Sequence, residues 1–552
     1  MRNKLVGLSV SLLVAACGGG GGGSDTSESR VTTQSVPPPT TVQFTASSND
    51  VLRGNAVTLN WSSTNATSCS ASGDWSGSKS TSGSESVVAS KDSNTFTINC
   101  NGVTVNVTVN ADLFKTTFTT SDLPDYTNSL VSKDDLVKGL NRAVSSTTFI
   151  TGRDGKMRVF MFPSYFYNGP ELPAFELTEH EKGKFKLVKF YNDMRLGFAR
   201  DSKLLNTKTA TQFVVVDQGL ENNKDYSLWP HGDVWVATDS GSGFTFSKIS
   251  PNRAFYHSVA VADISGDNKD DILVVNMGSN DKNAYPYMLY AFNQTTNGNF
   301  ILDNKFAPET FAHGKETIGS GAVASVDLDG DGTVEVIQAN YSSVHSIWGA
   351  FRISKRDITT GAYKVTKTYQ REGNYTYMGA YNVQPVDIDN DNDKDLIFVL
   401  EGNPSGNGTS THEALEIYRN DGNLVFTRMT DVWLTKSLWN QGNTDPINDF
   451  YWREISIIDI DNDGYLDIFL QQGGFNHYLV DPNVDLGRFI LKNNKGTGFK
   501  TMQGTKGLTV NFQNKASIPD SFRVMDKQGN TTRIFGFSPS GVPTVIDLNA
   551  GK

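Results

Sequence analysis

Apolar and polar residues alternate in a series of short runs along this chain, as they do where a strand buries one face and shows the other to water. Near the N-terminal end the runs are Val57-Thr58-Leu59-Asn60-Trp61, Thr95-Phe96-Thr97-Ile98 and Val103-Thr104-Val105-Asn106-Val107. Short strands at this spacing predict a small β-sandwich over residues 42–111. Beyond residue 146 the alternation becomes repetitive. Four segments share one order, an apolar run, an acidic loop and a second apolar run: VAVADISGDNKDDILVV from Val259, VASVDLDGDGTVEVI from Val323, VQPVDIDNDNDKDLIFV from Val383 and ISIIDIDNDGYLDIFL from Ile455. Their leading aspartates, Asp263, Asp327, Asp387 and Asp459, lie 64, 60 and 72 residues apart. That period holds about four strands, the content of one propeller blade.

Weaker echoes extend the series at FARDSKLLNTKTATQFVVV around Asp201, at FRVMDKQGNTTRIFGF around Asp526 and at FITGRDGKMRVFMF before them. The count is then seven, and a ring of blades closes on itself to hide its strand edges. The predicted fold is therefore all-β, a seven-bladed β-propeller over residues 146–552, with six or eight blades as the alternatives. The segment between sandwich and propeller, residues 112–145, reads as a connector. It carries one short helix, because Ser132-Lys133-Asp134-Asp135 has the form of a capping box ahead of Leu136, Leu140 and Val144.

The first 17 residues have the pattern of an export signal: Arg2 and Lys4, then an apolar run from Leu5 to Ala16 too short to span a bilayer, then Cys17. Val14-Ala15-Ala16-Cys17 resembles the bacterial lipobox, which implies cleavage before Cys17 and acylation of its thiol. Six glycines and Ser24 follow, and residues 18–41, with Pro37, Pro38 and Pro39, predict a flexible linker. Gly18 follows the cysteine where such lipoproteins retained at the inner membrane carry Asp. The expected location is thus the outer membrane or the cell surface, with the lipid as the membrane contact. Export places Cys69 and Cys100 in an oxidising compartment, where a disulfide is expected. With WSSTNATSCSASG and WSGSK around it, this region resembles the bacterial immunoglobulin-like modules of surface proteins.

A net charge of -10 disfavours a nucleic-acid partner, which needs a basic face. The acidity is instead concentrated in the repeated loops. Oxygens recur at positions 1, 3, 5 and 9: Asp263, Ser265, Asp267 and Asp271; Asp327, Asp329, Asp331 and Glu335; Asp387, Asp389, Asp391 and Asp395; Asp459, Asp461, Asp463 and Asp467. Position 7, occupied by Lys269, Thr333, Asp393 and Tyr465, is placed to offer a backbone carbonyl. Calcium takes about 6 to 8 oxygens, so alternate side chains of a tight loop must turn inward, and about four Ca²⁺ sites are predicted. Gly or Asn at positions 4 and 6 (Gly266, Asn268, Gly330, Gly332, Asn390, Asn392, Asn462 and Gly464) accepts the positive φ that such wrapping requires. An EF-hand is excluded, because its glutamate at position 12 is replaced by Val274, Gln338, Phe398 and Leu470.

These loops resemble the calcium loops of FG-GAP and VCBS repeats, known from integrin α-subunit propellers and bacterial surface proteins. The likeness extends over residues 146–552, although the FG-GAP tripeptides are poorly kept and the repeats around Asp201 and Asp526 lack the carboxylates for a metal. The resemblance implies calcium loops on one face and ligand-binding loops on the other, around the channel. The residues leading into the inner strands there include Tyr256 and His257, Tyr377, and Tyr451, Trp452 and Arg453; aromatic residues with a few polar partners suit a glycan or protein ligand. The sequence contains no HExxH, GxSxG, phosphate-binding glycine loop or dinucleotide fingerprint. The functional expectation is a lipid-anchored, calcium-binding adhesion or binding protein. The alternative is a polysaccharide-active enzyme resembling propeller lyases, for which His257 and Arg453 form the candidate pair.

Overall fold

The computed structural model describes residues 38–140, 146–164, 170–206, 211–220, 231–276, 289–304, 306, 320–340, 351–370, 380–400, 415–434, 452–472, 482–514, 517–519 and 521–551. The lipobox with Cys17, and the side chains of Tyr377, Tyr451, Trp452 and Arg453, lie outside the described residues. No helix among the described residues is long and apolar enough to cross a membrane.

Residues Thr41–Asp112 form two packed sheets, one of three strands and one of five. The alternation works as the pattern requires: Val57, Leu59 and Trp61 of Ala56–Thr64 point inward and meet Phe96 and Ile98 of the facing sheet. Trp75 closes this core, its ring stacked on Phe44 and edge-on to Trp61. Cys69 and Cys100 are disulfide-bonded. They stand directly opposite each other on neighbouring strands of the five-stranded sheet, so the bond staples one sheet internally and does not join the two layers.

At its C-terminal end the sandwich continues straight into the next sheet. Its last strand, Val103–Asp112, passes through Leu113 into another strand, Phe114–Thr120. This corrects the reading of 112–145 as a connector with a helix alone. Phe114–Thr120 pairs antiparallel with Pro543–Ala550, in register from Ala550↔Phe114 to Thr544↔Thr120. The helix does form, at Lys133–Leu140, with the N–H of Asp135 donating to Ser132 Oγ at its start.

Among the described residues the remaining chain folds into seven four-stranded antiparallel sheets and one two-stranded pair, Asn483–Asp485 with Thr509–Asn511. Sheets one to six take their strands in chain order: they begin at Thr147–Thr151, Ala199–Leu205, Tyr256–Ala262, Ser320–Val326, Ala380–Val386 and Trp452–Ile458. Sheet seven starts at Arg523–Gln528 and borrows its fourth strand, Phe114–Thr120, from the N-terminal side. Consecutive sheets pack face to face, and this explains why central strands such as Asp271–Asn276 and Asp395–Leu400 are buried along their whole length: both faces are covered. The first strands of neighbouring sheets lie alongside one another, as in sheets two to five. This arrangement, closed by a strand from the other end of the chain, is that of a β-propeller.

One irregularity repeats. In sheets two to six the first strand skips one residue against its partner: Arg200, His257, Gly321, Tyr381 and Arg453 are the extra residues of five β-bulges at the same place.

Candidate metal-binding loops

Each acidic loop joins the first and second strands of its sheet, and the sequence pattern determines its form. The residue at position 2 is apolar and buried (Ile264, Leu328, Ile388 and Ile460), which pins the loop to the core. The position-1 aspartate turns back over the loop and accepts backbone N–H groups: those of Gly266, Asp267 and Asn268 for Asp263, of Gly330 and Gly332 for Asp327, of Asp391 and Asn392 for Asp387, and of Asp463 and Gly464 for Asp459. Such wrapping needs positive φ. All eight Gly and Asn residues at positions 4 and 6 have it, from 60° at Asn462 to 89° at Gly464.

The carboxylate at position 9 opens the second strand and is fully buried in every loop, as Asp271, Glu335, Asp395 or Asp467. One of its oxygens accepts the N–H of the position-2 residue, at 2.7 to 3.1 Å. In sheets three, five and six the other accepts an N–H from the third strand, that of Gln294, Asn420 or Asn493, at 2.8 Å. Position 5 serves the loop itself: Asp267, Asp331, Asp391 and Asp463 accept the N–H of position 7 at 2.9 to 3.1 Å.

Positions 1, 3 and 9 then converge. Oxygens of Asp327, Asp329 and Glu335, of Asp387, Asp389 and Asp395, and of Asp459, Asp461 and Asp467 all approach within 4.8 Å of one another. This separation fits three ligands on one ion with metal–oxygen distances of about 2.3–2.6 Å. The loop of Asp263, where Ser265 stands at position 3, has no such triad among the described residues. Three oxygens in the loops of sheets five and six are buried without a hydrogen-bond partner: Asp389 Oδ1, Asp393 Oδ1 and Asp461 Oδ1. A buried acceptor without a donor is costly, and a cation removes that cost.

The electrostatics agree. Burial pushes the Asp395 carboxyl up to about 7, with Asp389 and Asp393 adding like charge against the hydrogen bonds from Ile388 and Asn420. Burial likewise raises Asp467 to about 7, with Asp463 and Asp459 contributing. Asp393, which the sequence offered for its carbonyl, brings a further carboxylate into the crowd; burial and then Asp391 push it up to about 6.

Sequence reasoning missed the basic residues of the loops. Lys355 sends its ammonium into the loop of sheet four, 2.6 Å from Asp329, 2.6 Å from Asp331 and 3.4 Å from Glu335. Lys492 does the same in sheet six, touching Asp461 and lying 3.0 Å from Asp463. Both are on the third strand of their sheet, whose register against the loop depends on the intervening hairpin and left no local signal.

The residues expected to bind a ligand on the opposite face fare differently. Tyr256 is a core residue: it is 1% exposed, packs on Tyr290 and donates its hydroxyl to the carbonyl of Asn252. His257 is equally buried, its Nδ1 2.6 Å from the Gly321 carbonyl and its ring stacked on Tyr381, over whose ring the Arg200 guanidinium lies 4.1 Å from the centre. The bulges thus draw side chains from sheets two, three and five into one packed cluster. Tyr256 is corrected from ligand contact to packing.

Residues 387–470, which run from the first aspartate of one triad through the whole of the next, match an FG-GAP-like repeat. The chain carries this repeat. No curated protein matches the chain. Among solved structures it is similar to the N-terminal domain of Nup159, at 8% identity, with 79% of this chain and 96% of that chain covered and a TM-score of 0.35. It is also similar to the Dos1 propeller, at 10% identity, 74% and 93% coverage and a TM-score of 0.36, and to the Bombyx mori GH32 beta-fructofuranosidase BmSUC1, at 10% identity, 76% and 95% coverage and a TM-score of 0.28.

Proposed function

We propose that this chain is a calcium-binding, lipid-anchored binding module of the cell envelope: a seven-bladed FG-GAP-type propeller, preceded by an immunoglobulin-like sandwich, that holds a glycan or protein ligand. The observation that carries the calcium reading is the convergence of three carboxylates in each of three loops in phase with the repeat, with buried oxygens left without donors in those of sheets five and six. The residues fit a hard divalent cation, since every side-chain donor is an oxygen and the triads are anionic. Its role is structural. It neutralises like charges that would otherwise repel at the end of each sheet, and because it binds only the folded loop it stabilises the fold by mass action.

The anchoring reading rests on the lipobox at Cys17 and on the glycine tether that follows it. The lipidated end then leads through the linker to a sandwich whose final strand runs directly into the closing strand of sheet seven. Of the pair offered for the enzyme reading, His257 is 1% exposed and engaged with Tyr381 and the Gly321 carbonyl, and the Arg453 side chain lies outside the described residues. Calorimetry of the mature chain tests the calcium role. Each site filled at 100 times its dissociation constant adds about 2.7 kcal/mol, so the propeller transition should move to higher temperature with calcium. An unchanged transition, together with no metal lost in Asp331→Ala, Asp391→Ala and Asp463→Ala, refutes the reading.

A further inference from the structure

The four loops are equivalent in form and unequal in charge. At one register position on the third strand of the sheet, directly after Phe292, Ser354, Tyr418 or Leu491, which pair with the residue following position 9, sheets three to six carry Asn293, Lys355, Arg419 and Lys492. In sheets four and six that position is a lysine whose ammonium lies among the oxygens of positions 3 and 5. In sheet four it also reaches position 9. In sheet five the corresponding Arg419 turns away and pairs with Asp421 through Nε at 2.8 Å and Nη2 at 2.6 Å. The loop of sheet five has five aspartates, Asp387, Asp389, Asp391, Asp393 and Asp395, and among the described residues no lysine or arginine pairs with them.

Resting on the reading of these loops as calcium sites, we propose that Lys355 and Lys492 are resident counter-cations that calcium must displace, so that the loop of sheet five fills first and those of sheets four and six exchange an ammonium for the metal. The geometry makes the two occupants exclusive. A calcium ion on Asp329 and Glu335 would stand where Lys355 Nζ now touches both, and a single charge beside a double one of the same sign is repelled at such range. The occupants also differ in reach. An ammonium has three donors and satisfies two or three oxygens, which leaves Asp461 Oδ1 without a hydrogen bond; calcium collects about six to eight. The ammonium is thus an adequate placeholder, and calcium engages more of the loop's oxygens, with displacement of the lysine lowering its affinity.

The physical consequence is a graded response. When calcium is scarce, the loops of sheets four and six each keep one cation in contact with their carboxylates, whereas Arg419, the corresponding residue of sheet five, is paired with Asp421. When calcium is plentiful, the lysine stems swing out, and Lys355, whose side chain is 25% exposed, has solvent to move into.

The test is calcium titration calorimetry on the full mature chain, with Lys355→Met, Lys492→Met and the charge-retaining Lys355→Arg, alongside thermal melts in chelator. Methionine keeps the apolar stem and removes the cation. The proposal predicts that each Met variant raises the affinity of one site about tenfold or more, leaves the tightest site unchanged, and melts at a lower temperature in chelator. Lys355→Arg should keep wild-type affinity and melting. Met variants that bind calcium as the wild type does, or more weakly, overturn the exchange while leaving the calcium sites standing. Failure of the wild type and of every variant to take up calcium overturns the calcium reading itself, and the exchange with it.

Discussion

The ring closes between sheet seven and sheet one, and a buried arginine holds that seam. Arg533, on the second strand of sheet seven, has a side chain only 2% exposed. Its Nε and Nη2 donate to the two oxygens of Asp526 at 2.6 and 2.8 Å, and its Nη1 and Nη2 reach Glu179 of sheet one at 2.6 and 3.2 Å. In Arg533→Met the apolar stem survives, and Asp526 and Glu179 are left facing each other without a cation. Removing one partner of a buried ion pair costs about 3–5 kcal/mol. Glu179 and Asp526 are 15% and 21% exposed, and Glu179 keeps the N–H of Gly183, so the lower end of that range applies. The triple variant Arg533→Met, Asp526→Asn, Glu179→Gln removes the stranded charges and should recover most of the loss, because a whole buried ion cluster is often replaced by neutral groups at little cost. The assay is urea unfolding at fixed calcium, with the midpoint of the propeller transition compared among wild type, single and triple variants. A single variant as stable as the wild type, or a triple variant no better than the single, would refute the argument that stranded charge is what the seam pays for.

Two further outcomes follow from particular residues. Burial pushes the Asp217 carboxyl up to about 6 in spite of the N–H groups of Phe198, Gly219 and Gly197 that it accepts; a folded-state value above the ordinary one means that its contribution to stability is complete below about pH 4 and is lost as pH rises through 6. Asp217→Asn should therefore gain on the wild type between pH 4 and pH 8, and melts that show a constant difference across that range would contradict the assignment. The Cys69–Cys100 bond closes a separation of 31 residues, worth about 3–4 kcal/mol by loop entropy. Reduction, or Cys69→Ser with Cys100→Ser, should lower the unfolding transition of the sandwich by that order, as read by denaturant titration of Trp61 and Trp75 fluorescence.

Much of the site was legible because it is local. The spacing of Asp387, Asp389 and Asp395 reports their convergence, since a nine-residue loop has few ways to run between two paired strands, and Asn390 and Asn392 announce the positive φ that the turn adopts. The features that sequence reasoning missed depend on distant partners. Phe114–Thr120 reads as connector because its partner strand lies at the other end of the chain and its outward face carries Lys115 and threonines. Lys355 and Lys492 enter their loops from a third strand, so their role appears only with the sheet register. The aromatic and basic residues of the inner strands show the same limit: Tyr256 and His257 look alike as ligand contacts, and only the bulge separates them, turning Tyr256 toward Tyr290 and His257 toward Tyr381.

The central claim is that the repeated acidic loops are occupied by metal. Equilibrium dialysis of the protein against radioactive calcium measures that occupancy directly. With triads in sheets four, five and six, and a weaker loop at Asp263 where Ser265 replaces a carboxylate, the account predicts at least three ions per chain at saturation. One ion should be lost in each of Asp327→Ala, Asp387→Ala and Asp459→Ala. Retention of less than one ion per chain, or uptake indifferent to all three substitutions, would contradict it.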